Sequence, residues 1–170
     1  MQPTSAGAEL AQLAAGGLTP IEKVLALQKT TLFSRTSVEE MQQVAAVTTT
    51  VTMTAGSLLF PESAPAALWM ILSGEVSLAG SASAGPIQAR SGDIIGSLQT
   101  LSGQPLGLAG TVVTAGVALR IVREELFDVL GERPELLRQM FAAMFRRAAD
   151  PAFASGVFKP RATQSAVGSR

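Results

Sequence analysis

The chain has 170 residues, 47% of them hydrophobic, and its 13 basic and 13 acidic residues give a formal net charge of zero. This size suits one domain with a buried core, and the neutral balance gives no general attraction to nucleic acid or to an anionic membrane. The sequence has no Cys and no His, which excludes disulfides and thiolate metal sites and removes the usual general base and the commonest metal ligand.

The N-terminal segment gives no targeting signal. It lacks the basic stretch followed by an apolar stretch that marks a signal peptide, and no apolar run of the chain approaches the roughly 20 residues that a membrane helix needs. We therefore expect a cytoplasmic protein without membrane insertion. Residues 1–18 are rich in Ala and Gly and are predicted to form a flexible arm.

Two helix starts follow the arm. Residues 19–22 read TPIE and residues 37–40 read SVEE, and both have the spacing of a capping box. In the first, the Pro occupies the first helical position, where its missing N–H is not needed. The sequence predicts helices over residues 20–29 and 37–46.

From Val47 the pattern changes to a period of two. The segment VTTTVTM alternates and is rich in β-branched residues, which favours a strand. Short apolar runs then recur between clusters of turn-forming residues, as in a β-sandwich or barrel. The predicted strands lie at residues 47–53, 57–60, 68–72, 75–79, 87–90, 94–96, 111–114 and 118–122.

After Arg123 the helical period returns. The pattern predicts a short helix to about Leu130, a break over residues 131–134 and a longer helix over residues 134–147, followed by a flexible tail at residues 149–170. The longer helix carries an apolar stripe, which is expected to be buried against the rest of the domain. The alternatives for its members are a lid over a pocket or a subunit seam. The members assigned to that lid or interface are Met140, Phe141, Met144 and Phe145.

The order of these segments resembles the cyclic nucleotide-binding domain family. The entry helices of the family are similar to TTLFSRTSVEEMQQVA, and its first strands are similar to AGSLLFPESAPAALWMILSGEVSLAG. Its Gly-Asp-x-x-Gly turn, with the start of the phosphate-binding cassette, is similar to RSGDIIGSLQTLSGQP. Its last strand and the following helix are similar to LRIVREELFDVL. The resemblance covers residues 20–147. It implies a mainly β fold, a jelly-roll or β-roll of about eight short antiparallel strands with flanking helices, in one domain over residues 19–148.

The resemblance also implies a ligand site that has lost its charges. In the family, backbone N–H groups hold a cyclic phosphate, an Arg after the cassette's Pro pairs with it, and a Glu after its Gly takes the ribose hydroxyl. Here Ser97 stands at the Glu position and Leu106 at the Arg position. A second alignment, shifted by two residues, gives the same result because residues 91–119 contain no Arg or Lys. The vestigial cassette comprises Gly96, Ser97, Leu98, Pro105, Leu106, Gly107, Leu108 and Ala109.

Two residues near this site have alternative interpretations. Arg90 is the only basic residue between Thr36 and Leu119, so it is the candidate substitute cation; the alternative is an exposed Arg at a strand end, paired with an acid. Ser97 is either a weak donor to a ligand or the N-cap of the short LQTL turn. Trp69, in a strand pattern, is expected to pack in the core.

Catalysis is not expected. Metal-binding cupins, which share the jelly-roll fold, use His clusters with a carboxylate, and this chain has no His. Ser97 as a nucleophile would need an adjacent base, and the motif offers neither His nor Lys. The sequence predicts no catalytic residue, no metal site and no cofactor.

The predicted function is that of a regulatory or interaction domain. It is expected not to bind cAMP or cGMP in the usual way and to contact another protein, or itself through the C-terminal helix, within a larger assembly. Nucleic-acid binding is not expected, because too few residues follow the second C-terminal helix for a helix-turn-helix module. The alternative is a sensor of cAMP, cGMP or a related small ligand through altered contacts.

Overall fold

The computed structural model describes residues 17–146, residue 148 and residues 157–158. The predicted arm up to residue 16 and the remainder of the predicted tail lie outside the described residues. Seven antiparallel strands form one sheet that curls into a β-roll, with helices before, within and after it. The elements in chain order are α1 Pro20–Gln28, α2 Val38–Ala46, β1 Thr49–Met53, β2 Leu58–Phe60, β3 Ala67–Ala79, β4 Ile87–Arg90, β5 Ile94–Ile95, α3 Ser97–Ser102, β6 Ala109–Val122, α4 Arg123–Glu132, α5 Pro134–Phe145 and β7 Val157–Phe158.

Both predicted capping boxes are confirmed. The Thr19 hydroxyl accepts from the Glu22 N–H at 3.3 Å, and the Glu22 carboxylate accepts from the Thr19 N–H at 2.7 Å. Ser37 and Glu40 repeat this arrangement at the start of α2. Because each box satisfies N–H groups that the first turn leaves free, these two starts were readable from sequence.

Strands β3 and β6 pair along their whole length and form the spine of the roll. Each is one continuous strand where the sequence predicted two, which reduces the eight predicted strands to six, and β7, which was not predicted, brings the described strands to seven. The reason that β3 and β6 are continuous is that the ladder shifts register at bulges near Gly74. Gly74 has φ +84°, and a Cβ there would lie 2.5 Å from the Thr114 carbonyl oxygen. Glycine therefore allows a bulge inside one strand, where the sequence predicted the boundary between two strands.

Two apolar clusters lie on opposite faces of the sheet. Alternate residues of β3 supply both: Leu68 and Met70 face the helices, whereas Trp69 and Ile71 face the inside of the roll. We call the first cluster the helical core and the second the roll core. Trp69 thus lies in the core, as predicted, with its ring centre 5.2 Å from that of Phe60.

The C-terminal helices differ from the prediction at their junction. Helix α4 runs through Gly131 to Glu132 and α5 begins at Pro134, so the predicted break over residues 131–134 shrinks to Arg133. Gly131 does not adopt a positive φ and simply continues the helix. Pro134 tolerates the first helical position because its missing N–H has no partner to lose there.

The apolar stripe on α5 divides into a buried side and an exposed side. Met140 and Met144 are 0% and 4% exposed and belong to the helical core, whereas Phe141 and Phe145 are 41% and 75% exposed. Burial of the whole stripe was therefore wrong for the two phenylalanines. Adjacent helix positions differ by about 100° in direction, and the face of α5 that contacts the core is narrower than the stripe.

Two ends of the predicted domain also need correction. Val157 and Phe158 form strand β7, which pairs with the edge of β5, and Val157 is buried; the expectation of a flexible tail was wrong at these residues. Leu18, assigned to the arm, packs into the helical core. Among the described residues, no helix has the length and apolar character needed to cross a lipid bilayer.

Candidate functional site

The cassette turn begins at Gly96, which precedes α3. Gly96 has φ +82° and is the N-cap, without a side-chain capping bond, and Ser97 is the first helical residue, buried to 1% exposure. The expectation that Ser97 caps the turn was therefore wrong. A Cβ at Gly96 would meet the Ala67 carbonyl and lie 2.6 Å from a methyl of Leu106, so glycine is needed here for close packing as well as for its φ.

The first part of the predicted cassette does not face a cavity. Leu98 packs against the helical core together with Leu101, on the opposite side of α3 from the roll. Gly96, Ser97 and Leu98 are absent from the described residues that line the cavity below. Leu98 is therefore separated from the cavity wall that the second part of the cassette forms, whereas Gly96 contacts Leu106 of that wall from outside the cavity.

A cavity of about 550 Å³ lies between the β3–β4 connection and the segment that follows α3. It is lined by residues 82–85, Ile87, Gln99 and residues 104–108. Among these described lining residues none is ionisable. The volume is in the range of small-molecule sites, but an anion there would leave water without a paired cation, at a cost of several kcal/mol.

The second part of the cassette supplies one wall of this cavity. Leu106 and Leu108 are buried and belong to the roll core, and Pro105 and Gly107 complete the wall. The N–H of Leu106 donates to the Ala64 carbonyl at 3.2 Å. Ala109 opens β6 opposite Ala79. At the position where the resemblance implies an Arg, the cavity therefore has a packed leucine.

The comparisons with known proteins now give the fold a name. No protein-family model matches the chain, and no curated protein matches it. The N-terminal domain of a transcriptional regulator from Streptomyces coelicolor is similar in structure, with 26% identity, a TM-score of 0.63, and coverage of 72% of this chain and 91% of that one. A cyclic nucleotide-binding domain from Methylobacillus flagellatus is 20% identical, with a TM-score of 0.63 and coverage of 84% and 82%.

A third similar structure is a kinase subunit. The regulatory subunit of a cAMP-independent protein kinase A from Trypanosoma brucei is 17% identical, with a TM-score of 0.66 and coverage of 83% of this chain and 49% of that one. The chain has the cyclic nucleotide-binding domain fold. The predicted β-roll with flanking helices is thereby confirmed.

In this cyclic nucleotide-binding fold Arg90 lies away from the cavity. Its neighbour Ala89 is buried in the roll core, so Arg90 points to the outer face of β4. There its Nε lies 3.2 Å from the Glu75 carboxylate, and the Arg side chain is 69% exposed. This is the arrangement of the alternative interpretation, an exposed Arg paired with an acid, and it does not bring Arg90 to the cassette.

Glu62, which the sequence did not single out, connects the two walls of the cavity. Its carboxylate accepts from the Ser81 N–H at 3.0 Å and from the Ser81 hydroxyl, and its carbonyl accepts from the Gly107 N–H at 3.1 Å. The hydrogen bond from the Ser81 hydroxyl, and then that from the Ser81 N–H, lower the pKa of Glu62 below its usual value. Glu62 thus holds the β3–β4 connection and the cassette segment together.

Gln99 is the second residue that the sequence did not single out. It lies on α3 and lines the cavity, and its side-chain Oε1 is buried without a hydrogen-bond partner among the described residues. A buried acceptor left unpaired costs about 1–3 kcal/mol. The indication in the sequence was that Gln99 lies inside the cassette. It was not singled out because the resemblance implies charged side chains, and not amides, as the groups that bind the ligand.

Arg120 is a cation next to the roll core. Its guanidinium lies 5.6 Å from the centre of the Trp69 ring, and its Nε is buried with no hydrogen-bond partner among the described residues. Residues 91–119 contain no Arg or Lys, and Arg120 directly follows them. Arg120 is not among the described residues that line the cavity, so it stabilises Trp69 by a cation–π contact and not the cassette.

Proposed function

We propose that this chain is a non-catalytic regulatory domain that does not bind cAMP or cGMP in the usual way and acts through contact with another protein in a larger assembly. Similar structures with this fold include a domain of a transcriptional regulator and the regulatory subunit of a cAMP-independent kinase. These support a regulatory role. A cytoplasmic location and a homo-oligomer formed through α5 remain predictions.

The charge-free cavity is the observation that carries the proposal. A hydrogen bond to a charged group contributes about 1.5–3 kcal/mol, and the resemblance implies two of them, at the positions of Ser97 and Leu106. Losing both weakens binding by about 3–6 kcal/mol, a factor of roughly 10² to 10⁴. Leu106 is 3% exposed and packed against Gly96, and none of the described residues that line the cavity carries a charge.

Thermal unfolding with and without millimolar cyclic nucleotide tests this proposal. A ligand at one hundred times its Kd stabilises a protein by about 2.7 kcal/mol, which for a chain of this size raises the Tm by about 5–10 °C. We expect no such shift with cAMP or cGMP, and a full shift for a nucleotide-binding control protein. Micromolar binding of either nucleotide in calorimetry would contradict the proposal.

Exposed aromatic rings at the end of α5 support contact with a protein. The rings of Phe141 and Phe145 are neighbours, with centres 6.4 Å apart, and both are exposed. We expect the double variant Phe141→Ser, Phe145→Ser to lose a cross-linked or co-eluting partner that the wild type retains. Val113→Ser is the matched control, since Val113 is 51% exposed on β6. Loss of the partner in both variants would argue against α5 as the contact.

A second candidate is a sensor of a small ligand through altered contacts. The cavity volume favours it. The two candidates are compatible, because a domain that contacts a protein can also have a ligand that regulates the contact.

A further inference from the structure

A second cavity, of about 200 Å³, lies between the α1–α2 connection and α5. The connection supplies Thr31, Ser34 and Arg35 to its lining, and the other wall carries Arg138 and Arg146. Residues four apart on a helix lie on the same side of it, one turn above the other. The two arginines of α5, eight residues apart, therefore face the same space as Arg35.

This cavity has an excess of positive charge. Among its described lining residues are three arginines and one acid, Glu135. Glu135 is paired with Arg138, whose Nε and Nη2 lie 2.9 Å and 2.6 Å from the carboxylate oxygens. For the exposed guanidiniums of Arg35 and Arg146, no ion pair is found among the described residues. A chain of zero formal net charge thus has two uncompensated cations at one cavity.

The walls of this cavity are held in place by contacts within the domain. The Thr36 hydroxyl, on the connection, donates to the Gln139 side-chain oxygen of α5 at 3.1 Å. Leu32 lines the cavity and is 2% exposed in the helical core. Because both walls are anchored before anything binds, a partner would not have to order them, which lowers the entropic cost of binding.

The exposed phenylalanine pair of α5 borders the same cavity. Arg138, Phe141 and Phe145 follow the i, i+3, i+7 spacing of one helical face, and Arg146 directly follows Phe145. We call these four residues, together with Arg35, the arginine–phenylalanine surface. Aromatic residues and Arg are enriched at the centres of protein interfaces, so this composition is typical of a protein-binding surface.

The groove beside α1 shows that the charge excess is particular to this surface. That groove, of about 340 Å³, has Glu22 and Lys29 in its lining, so the two charges cancel. It offers no preference for the sign of a partner. The arginine–phenylalanine surface, by contrast, is complementary to a negative charge with an apolar group beside it.

We propose that the arginine–phenylalanine surface binds an acidic segment of a partner protein, with carboxylates at Arg35 and Arg146 and an apolar side chain on the two rings. The proposal rests on the proposed function in one respect, since it takes the contact with another protein to lie at α5. A guanidinium pairs with a carboxylate through two parallel hydrogen bonds. The rings require an apolar group next to the acid, which a protein segment supplies and a free anion does not.

Random copolymers test the chemistry of the partner. Poly(Glu,Tyr) presents carboxylates beside rings at many spacings, poly(Glu) presents the acid alone, and poly(Lys,Tyr) presents rings with the opposite charge. With each polymer immobilised and the full chain in solution, biolayer interferometry should show the tightest binding to poly(Glu,Tyr), weaker binding to poly(Glu) and none to poly(Lys,Tyr). Added salt should weaken the binding, because exposed charges are screened. Equal binding to poly(Lys,Tyr) would overturn the requirement for an acid.

Charge variants test the position of the acid. We expect the double variant Arg35→Gln, Arg146→Gln to weaken binding of poly(Glu,Tyr) about two- to thirtyfold, the factor for two exposed ion pairs. The matched control is Lys29→Gln, Arg90→Gln, which removes the same charge from exposed positions outside the cavity and should bind like the wild type. Equal losses in both double variants would mean attraction by net charge alone and would overturn the site.

The phenylalanine variant tests the apolar half of the surface. In Phe141→Ser, Phe145→Ser the preference for poly(Glu,Tyr) over poly(Glu) should disappear, while the binding of poly(Glu) stays as in the wild type. An unchanged preference would overturn the role of the rings. Circular dichroism melting of each variant excludes unfolding as the cause of a lost signal.

The remaining outcomes separate this proposal from the proposed function. If neither acidic polymer binds, although Phe141→Ser, Phe145→Ser still loses its cross-linked partner, this proposal alone is wrong. If cAMP binds at micromolar levels and poly(Glu,Tyr) still binds through the arginines, the proposed function is wrong in its nucleotide claim and the surface stands. Displacement of poly(Glu,Tyr) by about 1 mM inorganic phosphate, but not by acetate at equal ionic strength, would assign the cavity to phosphoryl groups and overturn the acidic segment.

Discussion

The helical core and the roll core share strand β3 but are filled differently. On the helical side, Leu68 and Met70 lie in one cluster with large apolar residues from all five described helices, and Leu27, Met41 and Met140 are fully buried there. On the roll side, Trp69 and Ile71 pack against Phe60 and the cassette leucines, and beyond them about 550 Å³ remains open. Both faces of the sheet bury apolar side chains, but only the roll side leaves the cassette cavity beside its core.

The largest expected effect is at Met140. Met140→Ala removes a fully buried side chain from the helical core and should lower the free energy of unfolding by about 2–5 kcal/mol. Phe141→Ala, at the next position, should cost less than about 1 kcal/mol because that ring is 41% exposed. Urea denaturation at two protein concentrations measures both. Equal costs that grow with concentration would mean that Phe141 is covered in an oligomer.

Substitutions that enlarge a side chain should also affect the two cores differently. Ala143→Leu places extra methyl groups in the helical core, where Ala143 is 2% exposed, and should destabilise by about 1–3 kcal/mol through overpacking. Ile87→Phe has cavity space to occupy and should change stability by less than about 1 kcal/mol. A large loss for Ile87→Phe would show that the cavity collapses in solution, and the contrast between the cores would fail.

The smallest effect concerns pH. The pKa of Glu62 is lowered in the folded state by Ser81, and the pKa of Glu135 is lowered by Arg138. Each carboxylate therefore stabilises the fold at pH values above its usual pKa of 4.5. This contribution disappears as the pH falls through the lowered pKa. Glu62→Gln and Glu135→Gln should each reduce the drop in Tm between neutral pH and about pH 3.

The two carboxylates differ in what else they affect. Because the Glu62 carboxylate accepts from the Ser81 N–H, the NMR shift of the Ser81 amide proton should change on acidification in the wild type and in Glu135→Gln, but not in Glu62→Gln. An equal acid response in all three proteins would show that Glu62 does not position the cavity walls. Glu135 lies on α5, away from the cavity, and is the control for general acid destabilisation.

Local chemistry explains what the sequence predicted well. Thr19 with Glu22 and Ser37 with Glu40 encode their own helix starts, and the alternation of β3 encodes which residues face each core. The number of strands and the exposure of Phe141 depend on contacts with residues that are distant in sequence. Whether Gly74 makes a bulge or a turn is decided by β6 across the sheet, and the exposure of Phe141 by the width of the contact that α5 makes.

The candidate site was predicted in part. The absence of cations in residues 91–119 is a property of the sequence, and the residues lining the cavity agree with it. The separation of Leu98 from Leu106 was not visible, because neighbouring residues of a motif can face different sides of a short helix. Glu62 is important because its hydrogen bonds connect two loops, and Gln99 because its side-chain oxygen is unpaired. No local sequence pattern indicates either property.

Trp69 makes the order of assembly of the two cores measurable. It is the only Trp in a chain without Tyr, and its ring is packed against Phe60 in the roll core, so its emission reports closure of the roll alone. Circular dichroism in the helical region reports the other core. In stopped-flow refolding, identical rates from both signals mean one cooperative transition. A faster helical signal means that the local contacts of α1 and α2 form before β3 and β6, whose pairing spans many residues, close the roll.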